Sequence, residues 1–260
     1  MKYYVIDAFA DEIFNGNPAG VCLLEEDTSD EIMQKIAFEN NLAETAFLLK
    51  KDEVYYLRWF TPEVEIDLCG HATLATAFVV MNYVEPELQH ISFETKSGTL
   101  SVVRENDMYK MDLPSRMPVP EAMDQRLEDA LGCKVLETHL SRDLVVVVDK
   151  EETVRSMSVN YELLRQISND IAFAIIVTSK GESCDFVSRF FAPNAGIPED
   201  PVTGSAHSTL VPFWSERLNK NKMIAKQLSK RGGTLVCENK GERVLISGKA
   251  VCYLVGELRL

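Results

Sequence analysis

Apolar and polar residues alternate along this chain in many short runs, with a few longer stretches at helical spacing. Residues 3–9 and 19–24 are apolar and β-branched enough for strands. Between them, Asn15-Gly16-Asn17-Pro18-Ala19-Gly20 is a dense turn signal. Thr28 and Glu31 stand at capping-box spacing. Ile32, Met33, Ile36 and Ala37 then recur every three to four positions, which predicts a helix over 29–40. Paired strands are predicted over 43–49 and 54–61, and further strands over 91–95, 99–104 and 108–113. Residues 70–84 are mostly small and apolar all round, and a helix without a polar face is one that other elements enclose. Pro114, Pro118 and Pro120 then cluster where no central strand or helix interior can accept them, which places a domain linker there. Beyond it, helices are predicted over 121–131 and 160–168, and strands over 143–149, 171–178 and 186–192. A second mostly apolar helix, containing Pro212, is predicted over 204–218. A turn at Arg231-Gly232-Gly233 and a last strand over 251–258 complete the pattern.

The two halves repeat one another. Arg58-Trp59-Phe60-Thr61-Pro62 leads to Gly70-His71-Ala72-Thr73, and Arg189-Phe190-Phe191-Ala192-Pro193 leads to Gly204-Ser205-Ala206-His207. The copies start 131 residues apart in a chain of 260, so a fused pair of similar domains is expected, with a site between them that receives one helix start from each. Strands and helices do not alternate regularly, and no G-x-G-x-x-G or Walker sequence is present, which disfavours a doubly wound nucleotide fold.

Composition narrows the partners. The length accommodates two cores of about 100–150 residues each. Hydrophobic content of 46% and charged content of 26% are ordinary for a globular chain. The net charge of −13 repels nucleic acid but leaves room for a small anion in a locally positive pocket. The six cysteines lie far apart with no C-x-x-C pair, so zinc-ribbon spacing is absent and reduced thiols in a cytoplasmic protein are expected. The amino terminus begins directly as a strand and shows no secretion signal. The longest nearly apolar stretch, 74–84, falls short of the roughly 20 residues a bilayer requires.

Several residues could carry chemistry. Glu44 sits among small and apolar neighbours in Asn41-Leu42-Ala43-Glu44-Thr45-Ala46-Phe47. Desolvation there would raise its pKa toward the range of a general acid or base, whereas a strand-edge position would leave it in solvent. His71 follows Gly70 at the first helix start, with Asp67 and Cys69 just before it. Two such ligands without a third nearby do not make a metal site, and no metal is assigned. Asp200-Pro201 resembles an N-cap with a first-turn proline, and its alternative role is to bind substrate or move a proton. The unpaired N–H groups of two helix starts would hold a carboxylate or a developing enolate without any basic side chain, and Gly70 and Gly204 would let it approach the backbone. Ser205 and His207 do not make a hydrolase, because G-x-S-x-G is missing and residues two apart on a helix do not face each other.

Taken in chain order, these segments resemble the phenazine biosynthesis PhzF-like family, a branch of the diaminopimelate epimerase superfamily. The matching stretches are Gly16-Asn17-Pro18-Ala19-Gly20-Val21, Leu42-Ala43-Glu44-Thr45-Ala46-Phe47, Trp59-Phe60-Thr61-Pro62, Asp67-Leu68-Cys69-Gly70-His71-Ala72-Thr73, Phe191-Ala192-Pro193 and Glu199-Asp200-Pro201-Val202-Thr203-Gly204-Ser205-Ala206. The resemblance implies an α+β fold of two pseudo-symmetric domains, each a curled, mostly antiparallel sheet around a central buried helix. Residues 1–115 with about 251–260 would form the first, and 120–250 the second. It implies a cofactor-free isomerase acting on a small carboxylate-bearing metabolite, a homodimer, and proton transfer by Glu44. Asp200 and His71 would join Glu44 in catalysis, and Cys69, Gly70, Ala72, Thr203, Gly204 and Ser205 would line the substrate. Superfamily epimerases use one cysteine from each half. Here Cys69 precedes Gly70 but Thr203 precedes Gly204, so a one-carboxylate mechanism fits better than a symmetrical thiol pair. An epimerase using Cys69 with Asp200 or Glu44, or a metabolite-binding protein without catalysis, is the alternative.

Overall fold

A computed structural model describes residues 1–260, and the chain divides into two units, Met1–Asp112 with Ser247–Leu260, and Leu113–Ile246. The first unit opens with β1 (Lys2–Ala8), β2 (Asn17–Leu24), α1 (Asp30–Asn40), β3 (Glu44–Lys51), β4 (Val54–Phe60) and β5 (Glu65–Ile66). It continues with α2 (Gly70–Val79), β6 (His90–Thr95), β7 (Gly98–Glu105) and β8 (Met108–Pro114). The second contains β9 (Val119–Glu121), α3 (Arg126–Leu131), β10 (Glu137–Leu140), β11 (Leu144–Val147), α4 (Glu151–Ser156), α5 (Tyr161–Ile171), β12 (Ile175–Lys180) and β13 (Phe186–Ala192). Next come β14 (Ile197–Asp200), α6 (His207–Leu218), β15 (Lys222–Gln227), β16 (Gly233–Asn239) and β17 (Arg243–Gly248), and finally β18 (Ala250–Glu257) in the first unit.

The fold is α+β. In the first unit β1 pairs antiparallel with both β18 and β2, β2 runs parallel to β3, and β3 pairs antiparallel with β4. The sheet continues through β6, β7 and β8. It curls around α2, which packs against β1, β2, β3 and β18. Residues 71–77 of α2 are buried on every side of the helix, as their composition requires. The helix then widens into a π turn at Val80–Val84. On the other face α1 packs against β3 and β4, burying Met33, Ile36 and Ala37 with Phe47 and Phe60. In the second unit β9 to β13 pair in order, with β11 and β12 parallel, and β15 and β16 extend the sheet from β13. There α6 is the buried helix, with residues 207–215 enclosed. Trp214 in it donates to Thr178 Oγ1 at 3.0 Å and stacks on Phe186.

The repeat in the sequence is an atomic repeat. Arg58 donates from Nε and Nη2 to the two carboxylate oxygens of Glu65 at 2.7 and 2.8 Å, and lies over the ring of Phe60. Arg189 makes the same fork to Glu199 at 2.6 and 2.8 Å and lies over Phe191. Each fork clips the strand onto the return segment ahead of a buried helix.

Several local expectations change. The cap of α1 is Ser29, whose Oγ accepts from the Ile32 N–H, while Thr28 bonds Glu26. The helix expected over 121–131 is only α3, because Val119–Glu121 pair with β10 as a strand. Pro120 is tolerated there because β9 pairs on one side only. The helix over 204–218 starts as a 3-10 turn at Gly204–Ala206, and the α-helix proper begins at His207. Gly16 has φ +68°, and a Cβ there would strike the Ala8 carbonyl and lie 2.8 Å from Ala10 Cβ. No helix is long and apolar enough to cross a membrane. All six cysteines are free thiols.

Truncating the fully buried Leu74 in α2 to Ala is expected to cost about 2–5 kcal/mol by chemical denaturation, whereas Phe38→Ala, at 69% exposure on α1, should stay within about 0.5 kcal/mol.

Candidate active site

Four polar side chains of the first unit converge inside apolar surroundings. Glu44 is the first residue of β3, opposite Ala19 of β2, and it is buried. Its Oε2 lies 3.1 Å from Nε2 of His71, the second residue of α2, which is also buried. The contact is ionic rather than a directed hydrogen bond, because neither atom has a well-aligned partner. The other ring nitrogen, Nδ1, lies 3.2 Å from Asn17 Nδ2 and 3.5 Å from Cys69 Sγ. Cys69 is the N-cap of α2, and its carbonyl accepts from the Thr73 N–H and hydroxyl. The helix ladder therefore begins at Thr73, and the N–H groups of Gly70, His71 and Ala72 stand outside it.

The charges of this cluster are set by burial and by one another. Burial pushes the Cys69 thiol up, and the carboxylate of Glu44 adds to that, so Cys69 is a thiol at neutral pH. Burial opposes a charged His71, but the neighbouring Cys69 and Glu44 side chains outweigh it and hold the imidazole well above its ordinary value. With Cys69 protonated, Glu44 is the group whose charge acts on His71 at neutral pH. Donor atoms of Glu44, Cys69 and His71 all lie within 4.8 Å of one another, a set of metal-ligating type. A metal would require the Cys69 thiolate, which this environment disfavours.

The second unit builds a different cluster. Asp200 ends β14 and is buried, and its carboxylate accepts from the Thr203 hydroxyl. Asp200 is not an N-cap: Thr203 occupies that position, without a side-chain capping bond. Gln227, at the end of β15 and 1% exposed, brackets the loop. Its Nε2 donates to the Asp200 carbonyl at 2.7 Å and to Thr203 Oγ1 at 3.1 Å, and its Oε1 accepts from the Thr203 N–H at 2.8 Å. Ser205 Oγ lies 3.4 Å from Arg142 Nη2. His207 Nδ1 donates to the Thr203 carbonyl at 2.9 Å, which fixes the tautomer; its Nε2 is buried without a hydrogen-bond partner, and the ring lies 5.9 Å from that of Phe186 between centroids.

Glu44, Cys69, Gly70, His71 and Ala72 thus assemble in one unit, and Asp200, Thr203, Gly204 and Ser205 in the other. Sequence reasoning missed three contributors. Asn17 was legible as part of a turn and of a family-like run but not as a site residue, Gln227 carries no local signal, and Arg142 is marked only by its adjacent Asp143.

This chain is matched over residues 6–256 by the PhzC-PhzF family, described as phenazine biosynthesis-like protein. The chain belongs to that family. A Pseudomonas aeruginosa relative named an uncharacterized isomerase is 48% identical over 260 residues, covering 100% of this chain and 99% of its own length. A crystal structure of a PhzF family phenazine biosynthesis protein from Enterococcus faecalis has a TM-score of 0.97 at 48% identity, covering 100% of this chain and 99% of that one. The likeness extends to a second Pseudomonas aeruginosa protein, described as a predicted epimerase, at a TM-score of 0.80 and 20% identity over 99% and 98% of the two chains. That last likeness shows the fold alone. The phenazine biosynthesis-like pattern thus spans both buried helices and every residue of the two clusters.

The two histidines predict opposite pH limbs. His207 is held neutral, its pKa pushed down to about 4 by burial, against about 6.5 unfolded. The unfolded chain therefore binds the extra proton first, and stability falls by up to about 1.4 kcal/mol per unit as pH drops from about 6.5 toward 4. His71 is raised, so its contribution is complete below about 6.5 and is lost as pH climbs through its higher folded value. Urea midpoints across pH should flatten on the acid limb in His207→Gln and on the alkaline limb in His71→Asn.

Proposed function

We propose that this protein is a cofactor-independent isomerase that moves a proton between carbons of a small carboxylate-bearing metabolite, with Glu44 as the proton carrier. The carrying observation is the buried Glu44 carboxylate 3.1 Å from His71, with hydrogen-bonding capacity on both atoms unspent. Glu44 removes a proton from a carbon next to a carbonyl or unsaturated group, and the electron pair delocalises onto that group. The same proton then returns to a different carbon, and atoms and charge balance within one molecule. His71 lies beside the Glu44 carboxylate, and the N–H groups at the start of α2 stand outside the helix ladder, where they would favour an anionic intermediate bound next to them. Asp200, Thr203 and Ser205 bind the substrate in this reading. Relatives named isomerases support the reaction class.

A second reading makes the protein an epimerase, with Cys69 as an acid opposite a base. It draws on Cys69 Sγ standing 3.5 Å from His71 Nδ1. The raised thiol suits proton donation and not proton abstraction.

Solvent exchange separates these. Candidate carboxylates incubated in deuterated water should take up label at carbon with the wild type, and Glu44→Gln should lower the rate by about 10²–10⁴-fold. Equal incorporation by both proteins would remove Glu44 from its role. Loss of exchange in Cys69→Ser with binding retained would favour the epimerase.

A further inference from the structure

β18 is an edge strand of the first unit's sheet. β1 pairs with it antiparallel, from Lys2 opposite Glu257 to Ala8 opposite Ala250. The two strands are hidden to very different degrees: six of the seven residues of β1 are buried, and none of the eight in β18 is. Met1 and Leu258 exchange both main-chain hydrogen bonds, at 3.3 and 3.0 Å. Opposed pairs alternate along an antiparallel ladder, so Gly256 and Leu254 also turn their N–H and C=O groups toward β1. Those of Val255 and Glu257 point to the open edge.

Apolar side chains line that edge. Tyr253, Leu254 and Val255 are exposed in succession, so both faces of the strand meet water, with Val255 at 59%. Tyr253 has no opposite residue on β1, because the register shifts between Val5 and Ile6, and its ring lies 5.7 Å from that of exposed Phe14. Tyr4, opposite Val255, lies 5.2 Å from the ring of Tyr83, which is also exposed. Native edge strands are ordinarily blunted by inward charges, proline or a covering element. Residues 250–256 contain no charge and no proline, and the register shift at Tyr253 alone interrupts the run.

We propose that this edge pairs with β18 of a second copy of the chain, forming one continuous antiparallel sheet across a two-fold axis. Charge selects the antiparallel order. Before Ala250, Lys249 lies between the carboxylates of Asp11 and Asp107, at 3.1 and 2.8 Å, which leaves that end acidic. At the other end Lys2 stands opposite Glu257 and exposed Arg259 follows, which leaves that end basic. Antiparallel pairing brings the acidic end of each copy to the basic end of the other, whereas parallel pairing sets each end against its like. The contact is self-complementary, because one strand supplies donors, acceptors and apolar side chains to both sides. The homodimer implied by the family resemblance acquires a specific surface in this way, and nothing in the pairing depends on the isomerase reading.

Sedimentation equilibrium of the full chain should show a species of twice the 29.2 kDa chain mass. Val255→Lys places a charge on each side of the axis and should raise the dissociation constant by about tenfold or more. Because Val255 is exposed, the variant should keep the far-UV circular dichroism of the wild type. Phe38→Lys, on the exposed face of α1, should leave the constant within about twofold. In the unmutated dimer, the Val255 and Glu257 amides should exchange hydrogen about tenfold or more slowly than in an unstructured chain, which reads the edge without any variant. A wild type that stays monomeric would overturn the proposal and leave the edge to an extended strand of another protein. A dimer equally stable in Val255→Lys, or one whose Val255 and Glu257 amides exchange at the unstructured rate, has its interface elsewhere and would overturn it too.

Discussion

The Glu44–His71 pair is the constraint around which the first unit is organised. Two ionisable groups, each less than a tenth exposed, stand 3.1 Å apart in a largely apolar core. Removing either partner from such a site leaves an uncompensated buried charge, which costs more than the intact pair contributes. The pair therefore exists only if the sheet register and the helix start are both correct. The parallel β2–β3 ladder sets Glu44 opposite Ala19, and the turn at Gly16 delivers Asn17 to the inner side where it meets the imidazole. A slip of one residue in β3 would carry the carboxylate to the opposite face.

The second unit repeats the scaffold and changes the chemistry. The arginine–glutamate forks and the ring beneath each guanidinium are the same at both places, so the strand and return segment before each buried helix are held alike. Beyond the forks the two units part. Cys69 and His71 make an ionisable cluster, whereas Thr203 and Gln227 make a neutral hydrogen-bonded bracket around Asp200. His207 is buried as a neutral donor to a carbonyl and contributes rigidity to that loop, not proton transfer. The duplicated scaffold is thus chemically asymmetric: one half carries a buried carboxylate, imidazole and thiol in contact, and the other a neutral hydrogen-bonded bracket around Asp200.

The same contrast disfavours a symmetrical pair of thiols. A symmetrical two-cysteine mechanism requires a thiolate in one half and a thiol in the other, and Thr203 cannot supply either. Burial and the neighbouring carboxylate keep the one available cysteine protonated. A carboxylate that both takes and returns the proton requires only one half of the molecule to be ionisable.

Much of this was determined by the sequence. The stretches at 71–77 and 207–215 read as enclosed helices because they are mostly small and apolar and carry no charged face to meet water. The doubled Arg-aromatic-Phe segment fixed the two-part plan, and the family-like runs around Glu44, His71 and Asp200 marked the residues that the fold collects into its two clusters. Tertiary structure alone decided the rest. Pro120 became part of an edge strand because a pairing partner was present on one side, which composition cannot reveal. Ser29 displaced Thr28 as the α1 cap through one hydrogen bond. Asn17, Gln227 and Arg142 acquired their meaning from neighbours between 24 and 63 residues away in sequence. Local pattern records how much of each residue must be hidden. It does not record which distant polar atom will be there to meet it.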